Sequence, residues 1–528
     1  MKKSILLATL LLCINAGAFT LETEILPGEQ WWGGTDRTFG TAPYGQDSEK
    51  EFLLTVSNYS NHAVPFFISS KGRYIWSESA FDLTIASGKI TAVGDARIEL
   101  VQAGRTIRDA FKDASVKHFP GTGTLPPEEF VTKPQYNTWI ELTSRQNQKD
   151  ILAYAEAIVA NGFPTGGVLM IDGGWHVTNG NYAFKPDRFP DPKAMCERLH
   201  ELGFKVMLWV CPFITTGTPQ YEDLRDKGYL LLEKNGAEPA IVTWWAGRSA
   251  EIDFTNPDAR DWFIGKLKGL QEEFGVDGFK FDAGDALYFP DDQVRTFDGK
   301  SRAQEQSQLW AELGYAFPYN EFRASWKMGG KPVVLRLQDK DYSWGGVGEL
   351  LPDMITAGIT GHICVCPDMI GGGESSSFRD IDWEKFDQEL MVRSCQIHAV
   401  MPMMQFSVAP WRILDEEHLQ ACREAAALHV ALGDYMIEQA LKSAKENVPF
   451  IRPMDYSFPG QGFEACADQY MLGDKYLMAP MVVSGNTRTV KLPEGIWYDE
   501  TGRRYRGGKT YTIDVPLNRI PMFSRTKD

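Results

Sequence analysis

Between residues 136 and 441, short apolar runs of strand length alternate with longer amphipathic segments of helix length, and this alternation restricts the fold more than any other feature. The runs at 168–172 (VLMID), 205–210 (KVMLWV), 276–282 (VDGFKFD), 331–337 (KPVVLRL) and 361–366 (GHICVC) are nearly continuous in apolar content rather than apolar at every second position. A strand that is apolar on both faces must be covered on both, which is the situation of a parallel sheet flanked by helices. Segments 146–160, 193–202 and 257–274 have the length and period of those helices. With further runs at 138–142 and 400–406, roughly eight strand–helix units fit into about 300 residues, which suits a closed (β/α)8 TIM barrel better than an open sheet.

The flanks have a different pattern. From residue 19 to about 130, alternation of the type Phe81, Leu83, Ile85 against Asp82 and Thr84, punctuated by turns such as Ser87-Gly88-Lys89, predicts an N-terminal β-sandwich. The stretch 119–135 (FPGTGTLPPEEFVTKPQ) is rich in Pro, Gly and Thr and has linker composition. Residues 131–441 are then the α/β barrel, and 442–528, with short strands and turns such as Pro493-Glu494-Gly495, a C-terminal β domain. Residues 1–18 combine Lys2 and Lys3, an apolar run and Ala16-Gly17-Ala18, the pattern of a signal peptide cut near Ala18, so export to the periplasm or medium is expected. No later run is long and apolar enough to predict a membrane span.

The net charge of -16 argues against a nucleic-acid partner. Seven cysteines follow the leader, an odd number that leaves at least one outside any intrachain disulfide. Cys364 and Cys366 lie in an apolar run without a second Cys/His pair at ligand spacing, which favours buried thiols over a metal site.

Enzymes with this barrel carry their chemistry at the C-terminal ends of the strands. Those ends hold Glu141, Asp172, Trp209, Asp282, Arg336 with Asp339, and Asp368. Individually, a strand-terminal Asp caps helices, a Trp fills cores and an Arg joins structural ion pairs. Five acids converging on one rim repel one another and need cations or a hydroxyl-rich ligand. Hard-metal sites want clustered oxygen ligands, often with His, and of the few histidines only His176 falls in these motifs. A sugar held by Asp and Arg and stacked on Trp fits better. Lys280 and Asp282 interrupt an apolar strand, a placement that is costly for charges unless they are paired.

A series of ordered motifs carries a family resemblance from about residue 30 to the C-terminus. They include WWGG (31–34), PFFISSKGRYIWSE (65–78), FKPDRFPDPKAM (184–195), IDFTNPDARDW (252–262), GFKFDAGD (278–285), DKDYSW (339–344), PDMIGG (367–372), MPMMQFSVAPW (401–411) and DQYMLGDKYLMAPM (468–481). The chain resembles glycoside hydrolase family 31, retaining exo-acting α-glycosidases, and within it the branch that includes α-galactosidases. The resemblance implies Asp282 as nucleophile and, five residues before Trp344, Asp339 as acid/base, with Asp341 as a rival because Gln338 stands where the family usually has Gly. It also implies that Asp172, Trp209, Lys280, Arg336 and Asp368 line the sugar subsite. Trp175, Trp344 and Arg393 are further candidates, and Trp31 or Trp32 would close the site from the N-terminal domain. Asp339 is expected to be protonated, and Lys280 to keep Asp282 ionised. A retaining pair needs no metal or organic cofactor, and its partner is an oligosaccharide or glycoside.

The sugar itself is argued from departures. Many α-glucosidases of the family have an Arg-Asn-His element after strand eight, where this chain has Met404-Gln405-Phe406-Ser407, and a long segment between the Arg and the acid, here three residues apart. Both departures count against a standard α-glucosidase, and because the branch the chain resembles includes α-galactosidases, the resemblance implies terminal α-galactose ahead of α-glucose or α-xylose. A transglycosylase, a lyase and a non-catalytic carbohydrate-binding protein are the alternatives of other kinds.

Overall fold

The computed structural model describes residues 18–55, 61–300 and 302–526. The expected leader lies outside the described residues except for Ala18. Among the described residues no helix is long and apolar enough to cross a membrane.

Eight parallel strands form the central barrel: Gln135–Asn137, Val168–Ile171, Lys205–Val210, Gly278–Phe281, Tyr319–Phe322, Val334–Arg336, Cys364–Cys366 and Gln405–Phe406. Strands one to seven pair in sequence order, and the eighth pairs with the first. The seam between strands seven and eight is spanned by Ile370 N–H donating to the Gln405 carbonyl at 2.8 Å, so the barrel is nearly closed. Most strand residues are fully buried, in keeping with the continuous apolar runs.

Two strands lie elsewhere than their sequence suggests. Strand one is Gln135–Asn137, and the apolar run after it is a helical turn, Trp139–Leu142. The Asn137 side chain accepts from Trp139 N–H at 2.8 Å, a local bond that bends the chain out of the strand. Glu141 is consequently not strand-terminal; it pairs with Arg412 at 2.8 Å and accepts from Ala409 N–H. Strand five is Tyr319–Phe322, inside what reads as a long connection, so 331–337 supplies strand six. Its sequence, YNEF, has two polar residues that the barrel satisfies internally. Asn320 accepts from Val334 N–H at 2.9 Å, and Glu321 accepts from the Gln405 amide at 2.7 Å.

The N-terminal domain has two sheets. One orders Phe19–Glu24, Lys89–Gly94, Phe81–Ala86 and Lys50–Leu53; the other contains Trp31–Thr35, His62–Ser69, Arg73–Ser77 and Ile98–Gln102. Gly33, with φ of 130°, lets strand Trp31–Thr35 approach its neighbour, since a Cβ there would sit 2.2 Å from the Phe66 carbonyl oxygen. Ser325–Trp326, just after barrel strand five, joins this second sheet parallel to His62–Ser69 and anchors the domain on the barrel. At the other end, helix Glu416–Glu446 runs through the expected boundary at 441/442 and stops at Asn447, whose φ of 53° ends it in the left-handed region. A six-stranded antiparallel sheet and a two-stranded ribbon follow. All seven described cysteines are free thiols, six of them buried.

Candidate active site

The fourth barrel strand positions the site. Lys280 and Asp282 are on the same face of the strand, and Asp282 N–H still donates to the Val210 carbonyl at 2.8 Å. The chain then turns sharply through two left-handed residues, Ala283 (φ 57°) and Gly284 (φ 75°). Only glycine fits at 284, where a Cβ would meet the Trp310 ring at 2.4 Å. This turn lets Ala283 N–H donate to Asp282 Oδ1 at 2.9 Å.

Asp282 opens into a pocket of about 520 Å³ at the C-terminal ends of the strands. Asp172, Trp209, Lys280, Arg336 and Asp339 line it as well. The Trp209 indole Nε1–H donates to Asp282 Oδ2 at 2.6 Å. Its ring lies nearly parallel to two others, that of His176 at 5.6 Å and 4° and that of Trp244 at 6.5 Å and 10°. Lys280 Nζ pairs with Asp172 Oδ2 at 2.6 Å, with both side chains about 95% buried.

Arg336 is the hub of the opposite wall. Its Nη1 lies 2.5 Å from Asp339 and 3.2 Å from Asp368, and its Nε 3.6 Å from Glu321. Asp368 is set just behind the pocket surface, where it accepts backbone N–H bonds from Lys340 (2.7 Å), Met369 (2.6 Å) and Gly373 (3.2 Å). Asp339 keeps a solvent-facing edge, its side chain 32% exposed. Asp341 is turned away, accepting from the Ser343 hydroxyl at the start of helix Trp344–Ile359.

The charges decide the protonation states. Burial alone would raise Asp282, but Lys280, Arg323, Arg336 and the Trp209 hydrogen bond outweigh it and hold the carboxyl below its usual range. For Asp339 too, burial is outweighed by Arg336, Arg323 and Lys280, which hold it as a carboxylate rather than the protonated acid expected from sequence. Its partner moves the other way: burial and the Asp339 charge push Asp368 up to about 7. His176 is pushed down to about 4 by burial and is neutral, so it acts as a stacking surface.

Three candidates are elsewhere. Trp175 is fully buried behind Trp209 and donates from Nε1 to the Trp209 carbonyl at 2.8 Å, supporting the stack from outside the pocket. Trp344 donates to Asp387 at 2.8 Å and starts a helix. Arg393 points into the C-terminal domain and donates to the carbonyls of Val515 (2.9 Å) and Gly485 (3.2 Å), so it joins the domains instead of touching the pocket. Trp31 and Trp32 are buried in the N-terminal sheet and do not close the site.

The pocket has further residues that belong to none of the sequence motifs. Arg323 follows the unrecognised fifth strand. Trp245 sits at the tip of the hairpin formed by Ile241–Trp244 and Gly247–Glu251, half exposed over the pocket. Trp139 and Glu374 come from the loops after strands one and seven, and Trp139 donates to the Gly373 carbonyl at 2.9 Å. The run WWAGR between two short strands was the one sequence signal for any of them.

Among the described residues no group of His, Cys, Asp and Glu has the arrangement of a metal site. The pocket offers instead paired acids, fixed cations and aromatic faces, a set suited to a polyhydroxylated ring.

Comparison with known proteins agrees with this. The model of the glycosyl hydrolases family 31 TIM-barrel domain matches residues 134–439, and that of the family's C-terminal domain matches 447–527. The chain is similar to the myogenesis-regulating glycosidase of Mus musculus, 31% identical over 428 residues that make up 79% of this chain and 59% of the mouse protein. It is also similar to an alpha-xylosidase of Emericella nidulans, 25% identical over 555 aligned residues, covering 96% of this chain and 67% of that protein. In fold it matches the Flavobacterium johnsoniae GH31 dextranase complexed with glucose, with a TM-score of 0.84, 19% identity, and coverage of 97% of this chain and 67% of the dextranase. The chain thus spans about six tenths of the mouse relative's length. On the family models, which together cover the barrel and the C-terminal domain, the chain belongs to glycosyl hydrolase family 31.

Proposed function

We propose that the protein is a retaining, exo-acting α-glycoside hydrolase that releases a terminal α-galactose. The observation that carries the reading is the pair of carboxylates, Asp282 and Asp339, facing one pocket 3.8 and 3.9 Å from the same Arg323 guanidinium. Asp282, ionised and held at both oxygens by Ala283 N–H and Trp209, is the nucleophile that attacks the anomeric carbon. Asp339 is the group that protonates the leaving oxygen and then deprotonates the water. Arg336 and Arg323 hold it as a carboxylate, and in this reading it takes up its proton as substrate binds. A sugar hydroxyl that accepts from Arg336 Nη1 would loosen the 2.5 Å pair and raise Asp339 towards an acid.

Glucose is disfavoured at strand eight, where no residue of 404–407 lines the pocket. Gln405 is committed to Glu321, and the Ser407 hydroxyl accepts from Ile140 N–H, so neither side chain replaces the glucose-holding element of the family's α-glucosidases. A second reading, an α-xylosidase, is favoured by the named activity of the relative that covers 96% of the chain. Sulfoquinovosidases also appear among the relatives, but a sulfonate would need an uncommitted cation. Lys280, Arg323 and Arg336 are each paired with carboxylates.

The test is a panel of p-nitrophenyl α-galactoside, α-glucoside and α-xyloside with wild type and Asp282→Asn. Turnover of the galactoside well above the other two, lost in the variant, is expected, with free sugar released in the α configuration. Preferred turnover of the xyloside would replace galactose by xylose. A longer glycoside as the main product would identify a transglycosylase, an unsaturated ketose a lyase, and an equally active Asp282→Asn would refute the nucleophile.

A further inference from the structure

The double displacement uses two carboxylates, yet a cation, Arg323, stands between them. It leaves the barrel directly after strand five, its N–H donating to the Phe281 carbonyl at 3.2 Å, so its base is tied to the strand that carries Asp282. Its Nε lies 3.2 Å from Asp285 Oδ2 and 3.8 Å from Asp282 Oδ1, and its Nη1 lies 3.9 Å from Asp339 Oδ2. The Trp245 ring covers the guanidinium at 5.0 Å. Asp285 is buried, three residues beyond the nucleophile, and works as a fixed anchor for the guanidinium.

We propose that Arg323 is a positioning residue that couples the two catalytic carboxylates, so that the charge on Asp282 sets the protonation of Asp339. The inference rests on the double-displacement reading above. In the first step an Asp282 oxygen forms a bond to the anomeric carbon, the bond from that carbon to the leaving oxygen breaks, and the Asp339 proton passes to the leaving oxygen. Asp282 is then an uncharged ester. Arg323, no longer shared with it, acts on Asp285 and Asp339 alone and keeps Asp339 a carboxylate. That is the state needed next, when water bonds to the anomeric carbon, its proton goes to Asp339 and the ester bond to Asp282 breaks. With the charge on Asp282 restored, Arg323 is shared again and its hold on Asp339 weakens, so the next substrate can again bring Asp339 to its protonated form.

The other groups around this pair leave Arg323 that role. Asp282 is faced by Lys280 and Arg336, and across the turn by Asp285, Cys211 and Tyr288. Asp339 is faced by Arg336, Lys280 and Asp368. Arg37 approaches Arg323 from the N-terminal domain. Lys280 is held by Asp172 at 2.6 Å and Arg336 pairs with Asp339 at 2.5 Å, whereas Arg323 reaches both Asp282 and Asp339, at the nearly equal distances of 3.8 and 3.9 Å.

The experiment compares wild type, Arg323→Gln, Arg323→Lys and Asp285→Asn on an aryl α-glycoside that wild type hydrolyses, following kcat/KM against pH and glycosyl-enzyme by intact mass. An opposite charge within about 4 Å lowers a carboxyl by one to three units, so loss of Arg323 should raise both limbs of the pH bell by about one unit. Hydrolysis of the intermediate should slow about tenfold, so glycosyl-enzyme accumulates and KM falls with kcat. Arg323→Lys should restore part of both effects. Asp285→Asn, which frees the guanidinium for the other two carboxylates, should move both limbs down. A folded Arg323→Gln with unmoved limbs and no accumulated intermediate would overturn the coupling and leave the glycosidase reading intact. If Arg323→Gln does not fold, the direction of the Asp285→Asn shift decides. Wild type inactive on every α-glycoside would overturn the reading beneath it.

Discussion

Replacing Trp209 by Phe removes one hydrogen bond from Asp282 and little else. The indole Nε1–H to Oδ2 distance is 2.6 Å, with Trp209 5% and Asp282 9% exposed. The ring lies nearly parallel to those of His176 and Trp244, so a phenyl ring keeps most of these contacts. Oδ1 retains its bond from Ala283 N–H, while Oδ2 loses its donor. A hydrogen bond to a buried charged group is worth about 1.5–3 kcal/mol. At about 1.36 kcal/mol per unit, that amounts to a rise of one to two units in the carboxyl of Asp282. The carboxyl starts below its ordinary range and must be ionised to attack. The acid limb of kcat/KM, measured with an aryl α-glycoside by brief exposure to each pH, should therefore rise by one to two units. Trp209 makes no hydrogen bond to Asp339, so the alkaline limb should stay in place, in contrast to the joint shift expected for Arg323→Gln. An acid limb that moves by less than about 0.3 unit in a folded Trp209→Phe protein would refute the assignment of Asp282 as the group whose ionisation gates the reaction.

Other outcomes test the rest of the site. Asp339→Asn should cost about 10²–10⁴-fold on glycosides with poor leaving groups and little on a glycosyl fluoride; the same pattern for Asp341→Asn would transfer the acid role. Lys280→Met leaves Asp172 buried without its 2.6 Å partner and should destabilise by about 3–5 kcal/mol, seen as a lower thermal midpoint. Gly278→Ala places a Cβ 1.9 Å from the Tyr319 carbonyl oxygen between strands four and five, and should lower stability by at least about 1–3 kcal/mol and activity with it.

How legible the molecule was depended on whether a residue's role is local. Strands two, three and four announce themselves because nearly every side chain in them is buried, and a buried parallel strand has no polar face to disguise it. Strand five escaped because Asn320 and Glu321 are satisfied by partners 14 and 84 residues away. Missing the strand also meant missing Arg323 at its end. The motif positions Asp172, Trp209, Lys280, Arg336 and Asp339 lie around one pocket with Asp282, whereas Arg393, equally buried and equally charged, serves the joint with the C-terminal domain. A motif alone does not separate those two uses of an arginine.

By itself, then, the amino-acid sequence determined the barrel, its flanking β domains, the family, and the strand that presents Asp282, because each follows from periodicity or from an ordered set of short motifs. Tertiary structure decided the electrostatics. Whether Asp339 carries a proton depends on Arg336 and Arg323 a few ångströms away, and on how closely Asp368 is packed behind it. Coulomb interactions depend on distance and on burial, and neither can be read from positions along a chain.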